Sequence, residues 1–209
     1  MTSTLACGSV FFRAFKHRTL GQCASVRRGA VQVPTIHRDS SMLNLLRKSG
    51  ARKQKGQLLY DGLVTRARQP VFFREFAVAD SIDGRFDMVV LHAWLALSAL
   101  KAAGLQEMAQ GLTDAIFVGF DEAMREQGAG DMGLSRKMKA FADAFYGRVG
   151  AYEQAKDESD MAAALARNLW RGAEVDDRAR KLAHYAWAAK GSLQQSLPDI
   201  LDFGPLPKI

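Results

Sequence analysis

Cysteine is scarce in this sequence of 209 residues, and its two cysteines, Cys7 and Cys23, both lie near the beginning. A disulfide framework or a cysteine metal site needs several cysteines at defined spacings. Neither is therefore available to the rest of the chain. This cysteine usage fits a protein of a reducing compartment.

The alternation of apolar and polar residues that marks a half-buried strand is missing over any length of the chain. No repeat of about 20–50 residues is visible either. The longest apolar stretch, Met88 to Leu100, is shorter than the roughly 20 residues that a transmembrane helix needs. The sequence therefore predicts no sheet and no transmembrane segment.

Sequence motifs for catalysis are also missing. The sequence has no G-x-S-x-G motif, and no Ser-His-Asp or Cys-His set can be assembled. Its four histidines include no H-x-x-x-H or H-E-x-x-H spacing, and Asp121, Glu122 and Glu126 lack the Glu-x-x-His pairs of a ferritin-like metal site. We expect no enzyme, no cofactor and no metal site. His92 should be a core histidine that hydrogen-bonds a buried acid such as Asp87 or Asp83.

Positive charge is concentrated at the start of the chain. Residues 1–55 hold 11 of the 29 Lys and Arg residues but one of the 22 acids, so residues 56–209 carry a net charge of about −3. A nucleic-acid-binding protein usually carries its basic face on the folded body. Nucleic-acid binding by the body is therefore not expected.

Residues 1–55 are predicted to be a basic, disordered segment. Residues 1–41 have either the composition of a transit peptide or that of upstream sequence before a true start at Met42. The basic residues between 47 and 55 could hold the protein at an anionic membrane surface, since each contributes about 1 kcal/mol there. We expect a cytoplasmic protein, with peripheral contact to the inner membrane, or a mitochondrial one if residues 1–41 are a transit peptide.

Apolar residues at three- and four-residue spacing predict an all-α, single-domain bundle of about six or seven helices over residues 56–195. Pro70 should end the first of these, Gly104 should end the central apolar helix, and a break is expected near Gly111. Residues 196–209 should form an irregular tail. Short polar residues that can cap helices occur at four places: Asp80 or Ser81, Ser135, Ser159, and Asp176 or Asp177.

Residues 128–133 read GAGDMG, which matches the G-x-G-x-x-G string of a dinucleotide-binding turn. Such a turn follows a buried strand, whereas FDEAMREQ precedes this one and Asp131 places negative charge where phosphates would lie. We therefore predict a joint between two helices. Gly128 should end the first helix in the left-handed conformation. Gly130 and Gly133 should let the chain reverse, while Asp131 bonds local backbone amides.

Five blocks occur in order over roughly residues 56–185: Tyr60–Pro70 (YDGLVTRARQP), Asp80–His92 (DSIDGRFDMVVLH), Phe120–Gly133 (FDEAMREQGAGDMG), Lys137–Arg148 (KMKAFADAFYGR) and Ala166–Asn168 (ARN). With this set the chain resembles the ubiquinol–cytochrome c chaperone family, which assists assembly of respiratory complex III, and is most similar to its short alphaproteobacterial members. The resemblance implies binding rather than catalysis. Mitochondrial members bind newly made cytochrome b together with a small partner protein, near the ribosome exit.

Arginines and aromatic residues in and beside these blocks form the candidate partner-binding set. Each arginine either ties helices together through a nearby aspartate or faces an acidic partner, and interface hot spots favour Arg and aromatic residues. The candidates are Arg66, Arg68, Phe72, Phe73, Phe76, Arg85, Arg125, Tyr146 and Arg148. We expect a non-catalytic assembly chaperone that binds immature cytochrome b or another complex III subunit. The alternatives are a metal- or haem-binding bundle using His92 and a peripheral membrane module.

Overall fold

The computed structural model describes residues 40–126, 131–172, 174–198 and 200–208, and within these ranges the side chains of residues 40–48, 131 and 132 are not described. Seven helices and no strand make up this part of the chain, which confirms the all-α prediction. The helices are α1 (Ser40–Ala67), α2 (Pro70–Arg74), α3 (Ile82–Ala102), α4 (Gln106–Glu126), α5 (Asp131–Glu153), α6 (Glu158–Leu169) and α7 (Asp177–Ser196). The interpretations of residues 1–39, and of Gly128 and Gly130, lie outside the described residues.

Helix α3 is the centre of the bundle. Ser81 caps it as predicted, because its side chain accepts a hydrogen bond from the amide of Gly84. Every residue from Asp87 to Leu97 is buried, and the helices α1, α4, α5, α6 and α7 all pack against α3. The chain leaves α3 through Gly104, whose φ of 72° lies in the left-handed region that favours glycine. The apolar run is thus a core helix, as its length indicated.

Helix α1 packs against α4 through glycines. A Cβ at Gly56 would collide with the carbonyl of Gly111, and one at Gly119 would collide with the hydroxyl of Tyr60. Helix α4 runs through Gly111 without a break, so the break predicted there is wrong. Gly111 instead permits the close approach of the backbones of α1 and α4. Arg52 also turns toward α4, with its guanidinium within 4 Å of two α4 carboxylates.

Several predicted helix starts differ from the structure. Asp157, not Ser159, caps α6 by accepting from the amide of Asp160 at 2.8 Å. Ser135 and Gly133 lie inside α5, which already begins at Asp131, so neither caps the helix nor reverses the chain. Asp176 caps α7 as expected. Helix α1 begins at Ser40, so helical structure starts earlier than the boundary at residue 56 that charge indicated.

The segment after α7 is irregular, as its three prolines predicted, but it returns to the core. Phe203 is only 4% exposed, and its ring lies 5.2 Å from that of His92. Arg66 of α1 donates Nη2 to the carbonyls of Gly204 and Pro205, each at 2.8 Å. None of the described helices combines the length and the apolar content that crossing a bilayer requires.

Candidate functional site

A groove of about 820 Å³ opens between α1, α3, α4 and α5. Its floor is aromatic, because Phe86 of α3, Phe120 of α4 and Phe141 of α5 converge there. The ring centroids lie 5.6 Å apart for Phe86 and Phe120, 5.0 Å for Phe86 and Phe141, and 4.0 Å for Phe120 and Phe141. Met124 of α4 and the exposed Ile82 extend the apolar lining. The groove thus presents partly buried apolar side chains and the exposed Ile82 above the buried ring of Phe141.

Cations surround this apolar floor. Five line the groove, namely Arg68, Arg85, Lys137, Arg148 and Arg171, against two lining carboxylates, Asp83 and Glu126. Arg85 is paired with the exposed Asp80, at 2.7 Å. The cations come from the turn after α1, from α3 and α5, and from the turn after α6, so the bundle brings together charges that are distant in sequence. The groove therefore combines an apolar floor with a predominantly positive lining.

A buried carboxylate organises two of these arginines. Asp87 is fully buried and receives Arg148 Nε at 2.6 Å on Oδ1. Arg171 Nη1 lies 3.0 Å from Oδ2, as an ion pair without hydrogen-bond alignment. Burial raises the pKa of Asp87, and the two guanidinium groups oppose that shift. The guanidinium of Arg148 also lies 4.9 Å from the ring centre of Phe86, so this ion pair fixes the edge of the aromatic floor.

His92 is fully buried, as predicted, but the acid expected to bond it is engaged elsewhere. Its Nδ1 lies 2.8 Å from the carbonyl of Met88, which can only accept, so Nδ1 carries the proton. Its Nε2 then accepts from the hydroxyl of Tyr185 at 2.9 Å, and that hydroxyl accepts from Arg66 Nε at 3.0 Å. Burial lowers the pKa of His92 to about 4, and Arg66 adds to the shift. Both ring nitrogens are therefore held by protein atoms, which leaves neither for a metal or a haem iron.

The predicted partner-binding residues divide between the groove and other places. Arg68, Arg85 and Arg148 line the groove. Arg66 instead ties α1 to α7 and to the C-terminal segment. Arg125 pairs with Asp121 at 2.8 Å, the ion pair that their i, i+4 spacing indicated.

The predicted aromatic contacts need correction. Phe72 and Phe76 are fully buried, and Phe73 packs partly buried against the core, because the apolar face of α2 is turned inward. Phe72 stacks edge-on against His92. Tyr146 is 57% exposed but lies outside the groove lining. Phe72 and Phe76 thus support the fold and offer no surface to a partner.

The groove contains residues that sequence reasoning did not select for binding. Phe86, Phe120 and Phe141 have the helical spacing of core residues, and nothing in that spacing indicated that they also line a groove. Lys137 begins one of the five sequence blocks but was not among the binding candidates, and nothing in the sequence indicated Arg171. Arg171 reaches the groove because its backbone takes the left-handed conformation, with φ of 56°, just after α6. Within the described ranges, no three His, Cys, Asp or Glu side chains are grouped so that they could hold a metal ion.

Comparison with known proteins gives concordant results. Residues 74–202 match the family described as ubiquinol-cytochrome C chaperone. The ubiquinol-cytochrome-c reductase complex assembly factor 1 of Xenopus laevis is 24% identical over 115 residues, which are 53% of this chain and 58% of that protein, so the match spans less than two thirds of the relative. The crystal structure of the Cbp3 homolog from Brucella abortus superposes with a TM-score of 0.64 at 36% identity, and covers 76% of this chain and 90% of that one.

Proposed function

The chain belongs to the ubiquinol-cytochrome C chaperone family, and we propose that it assists complex III assembly by holding immature cytochrome b in the groove between α1, α3, α4 and α5. In this proposal the protein is not a catalyst. It covers an apolar face of the client until the permanent partners of that face arrive, and then releases it. A small partner protein is a further proposed binding partner, in keeping with the family resemblance.

The observation that carries the proposal is the aromatic floor of the groove. Contiguous apolar surface left open on a folded protein marks an interaction site. Here the partly buried Phe86, Phe120 and Met124 present such a surface to the groove, and the buried Phe141 supports it from below. A membrane-protein segment that has not yet met its partners has the complementary property, an apolar face that water solvates poorly.

The arginines predicted from sequence support the same location. Arg68, Arg85 and Arg148 line the groove, and Arg is among the residues that contribute most binding energy at interfaces. Arg148 is held by the buried Asp87 and is only 20% exposed, so its position is fixed before any client binds. Such preorganisation reduces the entropy lost on binding.

Site-specific photocrosslinking in cells tests the proposal. A photoreactive amino acid at Met124, which lines the groove, should crosslink to newly made cytochrome b. The same amino acid at Lys156, which is exposed and lies outside the groove lining, should give little crosslinking. Equal capture from both positions, or none from Met124, would contradict the groove as the client site.

The cellular role needs a separate test. Cells that lack the protein should contain less assembled complex III, and expression of the intact chain should restore it. Phe120→Glu places a charge on the aromatic floor and should fail to restore assembly, because a buried unpaired carboxylate opposes apolar contact. Lys156→Glu is the matched control and should restore it. Normal complex III in the deletion strain would refute the assembly role.

A further inference from the structure

We propose that the groove selects an amphipathic helix with carboxylates along one edge, rather than a uniformly apolar segment. This inference rests on the proposed function and adds the chemistry of the bound segment. The apolar face of the helix would lie on Phe86, Phe120 and Phe141. Its carboxylates would meet Arg68, which directly follows α1, and Lys137 of α5.

The first argument is the balance of charge in the groove. Arg85 is paired with Asp80, and Arg148 and Arg171 share Asp87. Within the described part of the chain, by contrast, no carboxylate lies in ion-pair range of Arg68 or Lys137, although both line the groove. Asp83 lies 3.8 Å from Arg171, so Glu126 is the lining acid without a cation among the described residues. The unpaired Arg68, Lys137 and Glu126 therefore leave an excess of one positive charge.

The second argument is the cost of covering these two cations. A segment without polar groups would displace water from Arg68 and Lys137 without replacing the lost hydrogen bonds, which disfavours binding. A carboxylate at either place replaces the lost water with a charge-assisted contact. Discrimination between segments thus arises at the two unpaired cations, while the aromatic floor supplies affinity for any apolar face.

The third argument is the size of the groove. An α-helix with its side chains is about 10 Å across and rises 1.5 Å per residue. A cylinder of that width and the volume of the groove, about 820 Å³, is about 10 Å long, which corresponds to about two helical turns. The groove therefore suits one amphipathic face of a helix, with apolar residues at i, i+3, i+4 and i+7.

Labelled synthetic peptides test the inference on the full chain. Three helical 14-residue peptides share one leucine and phenylalanine face and carry Glu, Gln or Lys at the flanking positions. Fluorescence anisotropy should show the Glu peptide binding about fivefold tighter than the Gln peptide and the Lys peptide binding most weakly, as expected for an exposed ion pair. The preference should shrink in 0.5 M NaCl, because salt screens exposed charges.

A matched pair of variants on α5 assigns the effect to the groove. Lys137→Glu should weaken binding of the Glu peptide about tenfold and strengthen that of the Lys peptide, because the attraction becomes repulsion. Lys139→Glu makes the same change two residues further along, at an exposed position outside the groove lining, and should have little effect. Arg68→Ala is a second groove variant, and circular dichroism checks that each variant is folded.

Four outcomes would overturn the inference. Equal affinity for the Glu and Gln peptides, or equal effects of Lys137→Glu and Lys139→Glu, would remove the role of charge while groove binding stood. Absence of peptide binding alongside binding to phosphatidylglycerol vesicles would assign the cations to a membrane surface. Self-association abolished by Lys137→Glu would assign the groove to a second copy of the chain. In each case cytochrome b crosslinking from Met124 still decides the proposed function separately.

Discussion

Acidification from pH 7 to pH 5 should destabilise the folded protein through His92. In the folded state the imidazole is neutral, with Nδ1 donating to Met88 and Nε2 accepting from Tyr185. A second proton, on Nε2, would face the hydroxyl proton of Tyr185, whose oxygen already accepts from Arg66. Protonation therefore breaks this chain of hydrogen bonds and places a second positive charge near the guanidinium of Arg66.

The size of the effect follows from the two pKa values of His92. In the unfolded chain it takes up a proton near its ordinary pKa of 6.5, whereas in the folded state the pKa is about 4. Between these values the unfolded state binds more protons, so the free energy of unfolding falls as the pH falls. The loss is about 2 kcal/mol at pH 5 and approaches about 3 kcal/mol below pH 4. The free energy of unfolding of a typical domain is about 5–15 kcal/mol in total, so this loss is a large part of it.

Urea denaturation followed by tryptophan fluorescence measures this loss at pH 7 and pH 5. Carboxylates also titrate over this range, so the comparison is with His92→Phe. That variant keeps an aromatic ring among Phe72, Tyr185 and Phe203 but cannot bind a proton. It should be less stable at pH 7, because it loses two hydrogen bonds, and should lose about 2 kcal/mol less than the wild-type protein on going to pH 5. An equal pH-dependent loss in both proteins would refute the reasoning.

Three substitutions test the packing, and a fourth is the control for the first of them. Gly56→Ala should lower the free energy of unfolding by about 1–3 kcal/mol, because the added methyl group meets a carbonyl of α4. Gly62→Ala on the same helix has open space around it and should raise the free energy of unfolding by up to about 1 kcal/mol. Equal melting temperatures of the two variants would contradict the close contact at Gly56. Arg148→Ala leaves the buried Asp87 with one half-exposed partner, Arg171. It should lower the free energy of unfolding, measured by urea denaturation, by about 3 kcal/mol. An unchanged free energy of unfolding would mean that the Arg148–Asp87 ion pair does not stabilise the fold. Phe203→Ala should lower the free energy of unfolding by about 3–5 kcal/mol in the same measurement and make the C-terminal segment accessible to protease. Unchanged protease resistance would show that Phe203 does not anchor this segment.

Local sequence signals were sufficient to predict structural features that depend only on neighbouring residues. The apolar run from Met88 to Leu100 predicted a buried helix, and Ser81 predicted its start, because periodicity and capping act within one or two turns. The choice between Asp157 and Ser159 was beyond such signals. Both residue types can cap, and the difference shows only in the structure, where the side chain of Asp157 accepts from the amide of Asp160.

Features that depend on distant residues could not be predicted in the same way. Gly111 looked like a helix break because the residue that requires it, Gly56, lies on another helix. Phe72 and Phe76 looked like partner contacts because an aromatic residue serves a core or an interface equally well. The arginines were partly informative: Arg68, Arg85 and Arg148 line the groove, but Arg171 reaches it through a backbone conformation that the sequence did not indicate.

The contact of Arg66 with the carbonyls of Gly204 and Pro205 joins positions almost 140 residues apart in the chain. During synthesis the first helices leave the ribosome long before residue 205 does, so Arg66 and His92 lack their partners in the C-terminal segment until that segment emerges. Contacts of such long range also slow the folding search. The chain would therefore be vulnerable to aggregation until a late stage of its own synthesis.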